Sequence, residues 1–173
     1  MRIELVKLEH GRADVAYVYQ PDGLGSFDER VSLVEPVSVE GKVRLAGVEV
    51  FVNGHIETRA QVECDRCLKL IEIPVKADFD LQYITGAEYE SSAAAELTDE
   101  VMSVSVFDGE TIDVDEIVKE QILLAVPTRM LCQPDCKGIC PVCGIDKNTG
   151  DCECESKQVD PRWAALKNLT SGK

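Results

Sequence analysis

Eight cysteines fall in two groups, and nothing else in the 173-residue chain restricts its architecture as much. Cys64 and Cys67 stand by themselves, while Cys132, Cys136, Cys140, Cys143, Cys152 and Cys154 crowd into 23 residues. The opening MRIELVKLEHG interleaves charges where a secretory leader needs an apolar stretch, so a cytoplasmic location is expected. No apolar run approaches the ~18 residues of a membrane helix, so no membrane partner is expected. In a reducing compartment, clustered cysteines point to metal ligation or redox chemistry rather than disulfides.

Cys64-Asp65-Arg66-Cys67 and Cys140-Pro141-Val142-Cys143-Gly144 are both C-x₂-C knuckles. That spacing lets two thiolates reach one tetrahedral ion at about 2.3 Å each. Cys132-x₃-Cys136 and Cys152-x-Cys154 are the obvious remaining donors. Zinc, one or two ions per chain, is the expected cofactor. With two sites, Cys140, Cys143, Cys152 and Cys154 make a local one, and Cys64, Cys67, Cys132 and Cys136 make a second that ties the tail to the sheet. With one site, Cys136, Cys140 and Cys143 combine with Cys152 or Cys154. Unligated thiols are the plainer alternative, but Gly138, Pro141, Gly144, Asn148 and Gly150 surround them in a segment almost without apolar periodicity. Such a segment lacks a core of its own, and structural zinc supplies roughly 10–16 kcal/mol of apparent binding energy to small motifs.

Two catalytic readings are weaker. A redox C-x-x-C wants a helix N-terminus to lower its thiol pKa, and Cys64–Cys67 lies between strand patterns instead. His55-Ile56-Glu57 has the H-x-E of zinc deaminases, yet Ile139 rather than Pro precedes Cys140. His55 reads more simply as a surface histidine just past an Asn53-Gly54 turn. No nucleophile elbow or phosphate-cradling loop occurs. Neither an enzyme nor a small-molecule substrate is expected.

The fold class expected is α+β: a mainly antiparallel sheet, as a meander or partial barrel, with one packed helix and a zinc-stapled C-terminal segment. Ile71, Ile73, Val75, Ala77, Phe79, Leu81 and Tyr83 alternate with polar residues over thirteen positions, a half-buried strand. Pro74 on its polar side suggests an edge or a bulge. Val48, Val50 and Val52 alternate, as do Ile56, Thr58, Ala60 and Val62, and Asn53-Gly54 between them predicts a hairpin turn. Residues 37–45 add a strand, and residues 3–8 and 15–19 are weaker candidates. Residues 85–100 read as a mobile loop. Met102, Val104 and Val106 alternate, and a turn follows at Asp108-Gly109. Asp113 is a fitting N-cap, with Glu116 completing a capping box, for a helix through Ala125 stopped by Pro127. Its buried stripe is Ile117, Val118, Ile122 and Leu124–Ala125. Asp160-Pro161 predicts a short helix over residues 162–169, with Trp163, Leu166 and Leu169 inward. The expected organisation is a β-rich domain over residues 1–126, including the helix at 113–125, and a cysteine-rich segment over 127–173.

The formal charge is −14, which argues against a simple electrostatic clamp on nucleic acid. Residues 78–120 carry thirteen acids against Lys119 alone, whereas residues 127–173 carry seven bases against six acids. The acidic stretch, with Asp78, Asp80, Glu88, Glu90 and Glu96, is either a solvated face or a docking surface for a basic protein. RNA contact would fall to Arg129, Lys137, Lys147, Arg162 and Lys167.

CDRC followed by Leu68, the acidic mid-section, the helix ending at Pro127, CKGICPVCG at residues 136–144 and Asp160-Pro161-Arg162 together resemble the YceD-like family, the large ribosomal RNA subunit accumulation proteins. The likeness covers most of the chain and is weakest before about Val37 and across residues 85–100. It implies a metal-binding ribosome-biogenesis factor without established enzymatic activity. The implied partner is the large-subunit ribosomal precursor, met through a basic ribosomal protein, ribosomal RNA or both. It does not settle which cysteines share a metal. The rival classes are a zinc-bearing protein adaptor outside the ribosome and an RNA-processing or redox enzyme.

Overall fold

A computed structural model describes residues 1–25, 29–93 and 104–154. The chain divides into two compact units. The first comprises Met1–Glu63 and Leu70–Met130; the second comprises Cys64–Lys69 and the chain from Leu131 onward.

The first unit is the sheet. Its strands are β1 (Arg2–Glu4), β2 (Arg12–Tyr19), β3 (Val31–Leu33), β4 (Val37–Ala46), β5 (Glu49–Glu63), β6 (Leu70–Thr85), β7 (Val104–Phe107) and β8 (Thr111–Asp113). Among the described residues the α-helices are α1 (Gly86–Ala93) and α2 (Val114–Ala125), and Leu5–Lys7 form a single 3-10 turn. The main sheet runs β2-β4-β5-β6-β7, with β3 also on β5, and β1 pairs with β8 in a separate two-stranded sheet. Every pairing is antiparallel except β6 with β7, which is parallel. The expected α+β, mainly antiparallel class is the observed one, and the described strands close no barrel.

The long alternation becomes β6, and Val75 is its most buried member. Pro74 pairs with Arg59 of β5 and has no described strand on its other side, so it occupies a local edge of the sheet, where proline is tolerated. Val37, Val39, Val43, Val50, Val52 and Ile56 bury the inward face, joined by Ile117, Val118 and Ile122 from α2. Asp113 caps α2 by accepting the Asp115 N–H at 3.0 Å, and its other oxygen accepts from Arg2 Nε at 2.8 Å.

Three local expectations need correction. Asn53-Gly54 is not a turn but the middle of β5, where Gly54 pairs with Gly41 and Asn53 with Lys42. A Cβ on Gly54 would come within 2.7 Å of the Phe79 ring and 2.6 Å of the Glu40 carbonyl, so glycine is there for close approach rather than for positive φ. The hairpin turns instead at Gly47-Val48, with Gly47 at φ +67°. Residues 86–93, expected as loop, form α1, entered through Thr85, whose hydroxyl accepts the Glu88 N–H at 3.4 Å. The alanines and glutamates there are sound helix formers despite lacking an apolar stripe. Leu124 is 71% exposed, because two residues past Ile122 it lies about 200° around the helix on the outer face, while Ala125 continues the packed stripe. Strands β3 and β8, three residues each, were too short to register as patterns. Met102, Glu96 and the helix expected over residues 162–169 lie outside the described residues.

Candidate metal centre

The eight thiols gather into two groups of four within the second unit: Cys64, Cys67, Cys132 and Cys136, and Cys140, Cys143, Cys152 and Cys154. Within each group all sulfurs lie within 4.8 Å of one another. Sγ of Cys64 is 3.8 Å from that of Cys136, and Sγ of Cys67 is 3.6 Å from that of Cys132. A tetrahedral ion with ~2.3 Å metal–sulfur bonds sets its sulfurs about 3.8 Å apart, so the first group is spaced as zinc requires. Cys136 belongs with Cys64 and Cys67, not with Cys140 and Cys143.

Both knuckles use the same backbone turn. Cys64 N–H donates to Lys69 O at 2.9 Å and Leu68 N–H to Cys64 O at 2.9 Å; Cys140 N–H donates to Ile145 O at 2.8 Å and Gly144 N–H to Cys140 O at 2.9 Å. The residue after the second cysteine takes positive φ in each, Leu68 at 59° and Gly144 at 75°. Only the second knuckle uses the residue type suited to that conformation. Leu68 accepts strain of the kind found where surrounding structure dictates the backbone.

The thiol chemistry repeats as well. Burial pushes the Cys64 thiol up, but N–H groups of Arg66, Cys67 and Cys132 outweigh it and bring it down to about 6. Cys140 is likewise held at about 6, chiefly by the N–H groups of Cys143 and Val142. Cys132 is pushed up to about 12 by burial and then by Cys67 and Cys136, and Cys154 to about 12 by Cys143 and then by burial. In each group one sulfur ionises readily and its neighbours then resist, since like charges crowd together. A divalent cation removes that conflict, so both donor sets fit zinc.

The groups differ in their surroundings. Cys64 and Cys136 are fully buried, while Cys143 and Cys154 are exposed. Around the first group, Asn148 Nδ2 donates to Cys136 Sγ at 3.4 Å and Asn148 Oδ1 accepts from Lys137 N–H at 2.8 Å. Arg66 Nη1 donates to the Cys136 carbonyl at 2.6 Å, and Ile139 N–H donates to Arg66 O at 3.0 Å. Gly138, at φ +74°, lies so close to Arg66 that a Cβ would come within 2.8 Å of its carbonyl. Asn148 and Arg66 were missed as site residues. Their only sequence signal is position, one beside a knuckle and one inside it.

Among the other candidates, Asp78, Asp80, Glu88 and Glu90 are exposed in the first unit. Asp78 is engaged by His55, whose Nδ1 lies 2.6 Å away. His55 sits within β5 rather than at a turn, and Asp78 and then Glu57 hold its pKa above the usual value. With a carboxylate on each ring nitrogen it has no site left for a metal. Arg129 is exposed in the first unit, Lys137 is exposed and Lys147 half-buried in the second, and Arg162 and Lys167 lie outside the described residues. No helix among the described residues is long and apolar enough to cross a membrane.

Fold and site together define a sheet protein that carries a pair of four-cysteine centres. A family model described as large ribosomal RNA subunit accumulation protein YceD matches residues 52–170, and the chain belongs to that family. An uncharacterised protein of Mycobacterium tuberculosis is 30% identical over 86% of this chain and 69% of its own length. An uncharacterised protein of Bacillus subtilis is 29% identical over 83% of this chain and 86% of its own. A chloroplastic large ribosomal RNA subunit accumulation protein YCED homolog of Zea mays is 26% identical over 72% of this chain and 50% of its own. No solved structure matches.

Proposed function

We propose that this chain is a non-enzymatic ribosome-biogenesis factor that promotes accumulation of the large-subunit ribosomal RNA, with one structural zinc in each cysteine group. The observation that carries this reading is the composition of the two groups. Each supplies four thiols, which closes a tetrahedral site and leaves no open position for substrate or water. Family membership supplies the ribosomal setting. The zinc ions hold the second unit together, and the surfaces do the binding. Exposed Asp80 and Glu90, with Asp78, Glu88 and Glu96, suit a basic ribosomal protein of the precursor particle.

Depleting the protein in the cell that makes it tests this reading. Large-subunit ribosomal RNA should fall against small-subunit RNA. Wild type should restore it and Cys136→Ser should not. An unchanged RNA ratio on depletion sinks the proposal.

A further inference from the structure

We propose that the outward face of the sheet, where β2, β4 and β5 run side by side, binds single-stranded RNA. The proposal deepens the ribosomal reading and rests on it. Directly paired residues share a face, and the register places Arg12 opposite Arg44 and Arg44 opposite Phe51. In the adjoining row Asp14 pairs with Lys42, and Lys42 with Asn53. Arg12, Lys42 and Arg44 are exposed and line an open groove of about 880 Å³ with Lys7. Glu9 and Asp14 are the carboxylates there, so four cations face two acids in a chain whose net charge is −14.

Lys7 is held by Glu4 at 2.8 Å, but among the described residues Arg12, Lys42 and Arg44 enter no ion pair. The Arg44 guanidinium instead lies over the Phe51 ring, 4.4 Å from its centroid. That stack fixes a planar cation on a half-buried aromatic while leaving the cation's outer face to solvent. Guanidinium planes and aromatic rings are what unpaired bases stack on, and neighbouring cations neutralise the phosphates between them. On β6, Asp80 stands opposite Asn53 in the Lys42 row, and the row after it, Glu40 to His55 to Asp78, is acidic on both β4 and β6. These acids repel phosphate and confine an RNA strand to the end of the face formed by the Arg12–Arg44–Phe51 row, which Gln82 extends on β6 without a carboxylate. The groove lies in the first unit and differs from the basic residues singled out in sequence, which fall at Arg129 and beyond.

The test uses the full, zinc-loaded chain and a labelled mixed-sequence single-stranded RNA of about 12 nucleotides, titrated at several salt concentrations. Each neutralised phosphate adds about 0.7 to the log–log salt slope for single strands, so three free cations give a slope near 2. R12Q/K42Q/R44Q should lose most of that slope and at least tenfold in affinity at low salt. F51L should weaken binding several-fold at an unchanged slope, and K137Q/K147Q should leave binding as it is. Far-UV circular dichroism and zinc content establish that each variant is folded. The proposal is overturned if wild type shows no salt-dependent RNA binding, or if the folded triple variant keeps wild-type affinity and slope. Large-subunit RNA levels in cells carrying the triple variant are read separately. Normal levels together with lost RNA binding would discard the groove's relevance and leave the broader role standing.

Discussion

The two cysteine groups have the same knuckle and the same number of thiols, yet they are built in opposite ways. Cys140, Cys143, Cys152 and Cys154 come from one short stretch, and two of the four are exposed. Cys64 and Cys67 are separated from Cys132 and Cys136 by the whole of β6, α1, β7, β8 and α2, and Cys64 and Cys136 are fully buried. Closing a long loop costs more chain entropy than closing a short one, so a metal gains more stability by holding it. The local group can assemble as soon as its own turn forms. Within the second unit the long-range group joins the Cys64–Lys69 segment to the chain beyond Leu131, and Asn148 and Arg66 bond to it.

The sharpest way to break this contrast is to remove one thiol from each group. Cys136→Ser should reduce bound zinc by one and destabilise the second unit by several kcal/mol, out of the roughly 10–16 that a structural zinc supplies. Cys154→Ser should also cost one zinc but much less stability, and thermal melting of the two variants would show the gap. Equal losses would make the centres equivalent.

The sheet offers the next comparison. Ile122 is fully buried in α2, so Ile122→Ala should cost about 2–5 kcal/mol by urea unfolding. Zinc content should stay at the wild-type value, because the sheet core and the metal centres belong to different units. A smaller effect is expected at Asn148, whose amide bonds the Cys136 sulfur. Asn148→Ala should lower zinc affinity about 10–100-fold at the long-range site and leave the local one unchanged, as competition with a chelator would show.

The smallest effect concerns pH. His55 gains Asp78 and Glu57 on folding and its pKa rises above 6.5. Its contribution is therefore complete below that value and fades as pH climbs through the raised one. His55→Gln should cost slightly more stability at about pH 5.5 than at about pH 8, and the difference stays small because the pair is exposed.

How far the sequence disclosed all this depended on whether the cause was local. The alternation from Ile71 to Tyr83 and the Asp113 cap rest on period and capping chemistry, and both were legible. Asn53-Gly54 misled because the residues that make it a strand, Gly41 and Phe79, lie on other strands. The α1 helix was hidden by the absence of an apolar stripe, and the parallel β6–β7 pair by having no pattern of its own. At the site, C-x₂-C spacing identified the knuckles but not which thiols meet. Pairing is decided by contacts such as that between Gly138 and Arg66, which spacing does not encode. The Arg12–Arg44–Phe51 row appears only once the register is known.

Two metal centres per chain are most directly measured by native mass spectrometry of the full chain, purified without chelator. It should show two zinc ions per chain, with the first lost on mild chelation coming from the exposed local group and the second persisting. A chain that carries one zinc or none, or that gives up both ions together, would contradict two distinct centres.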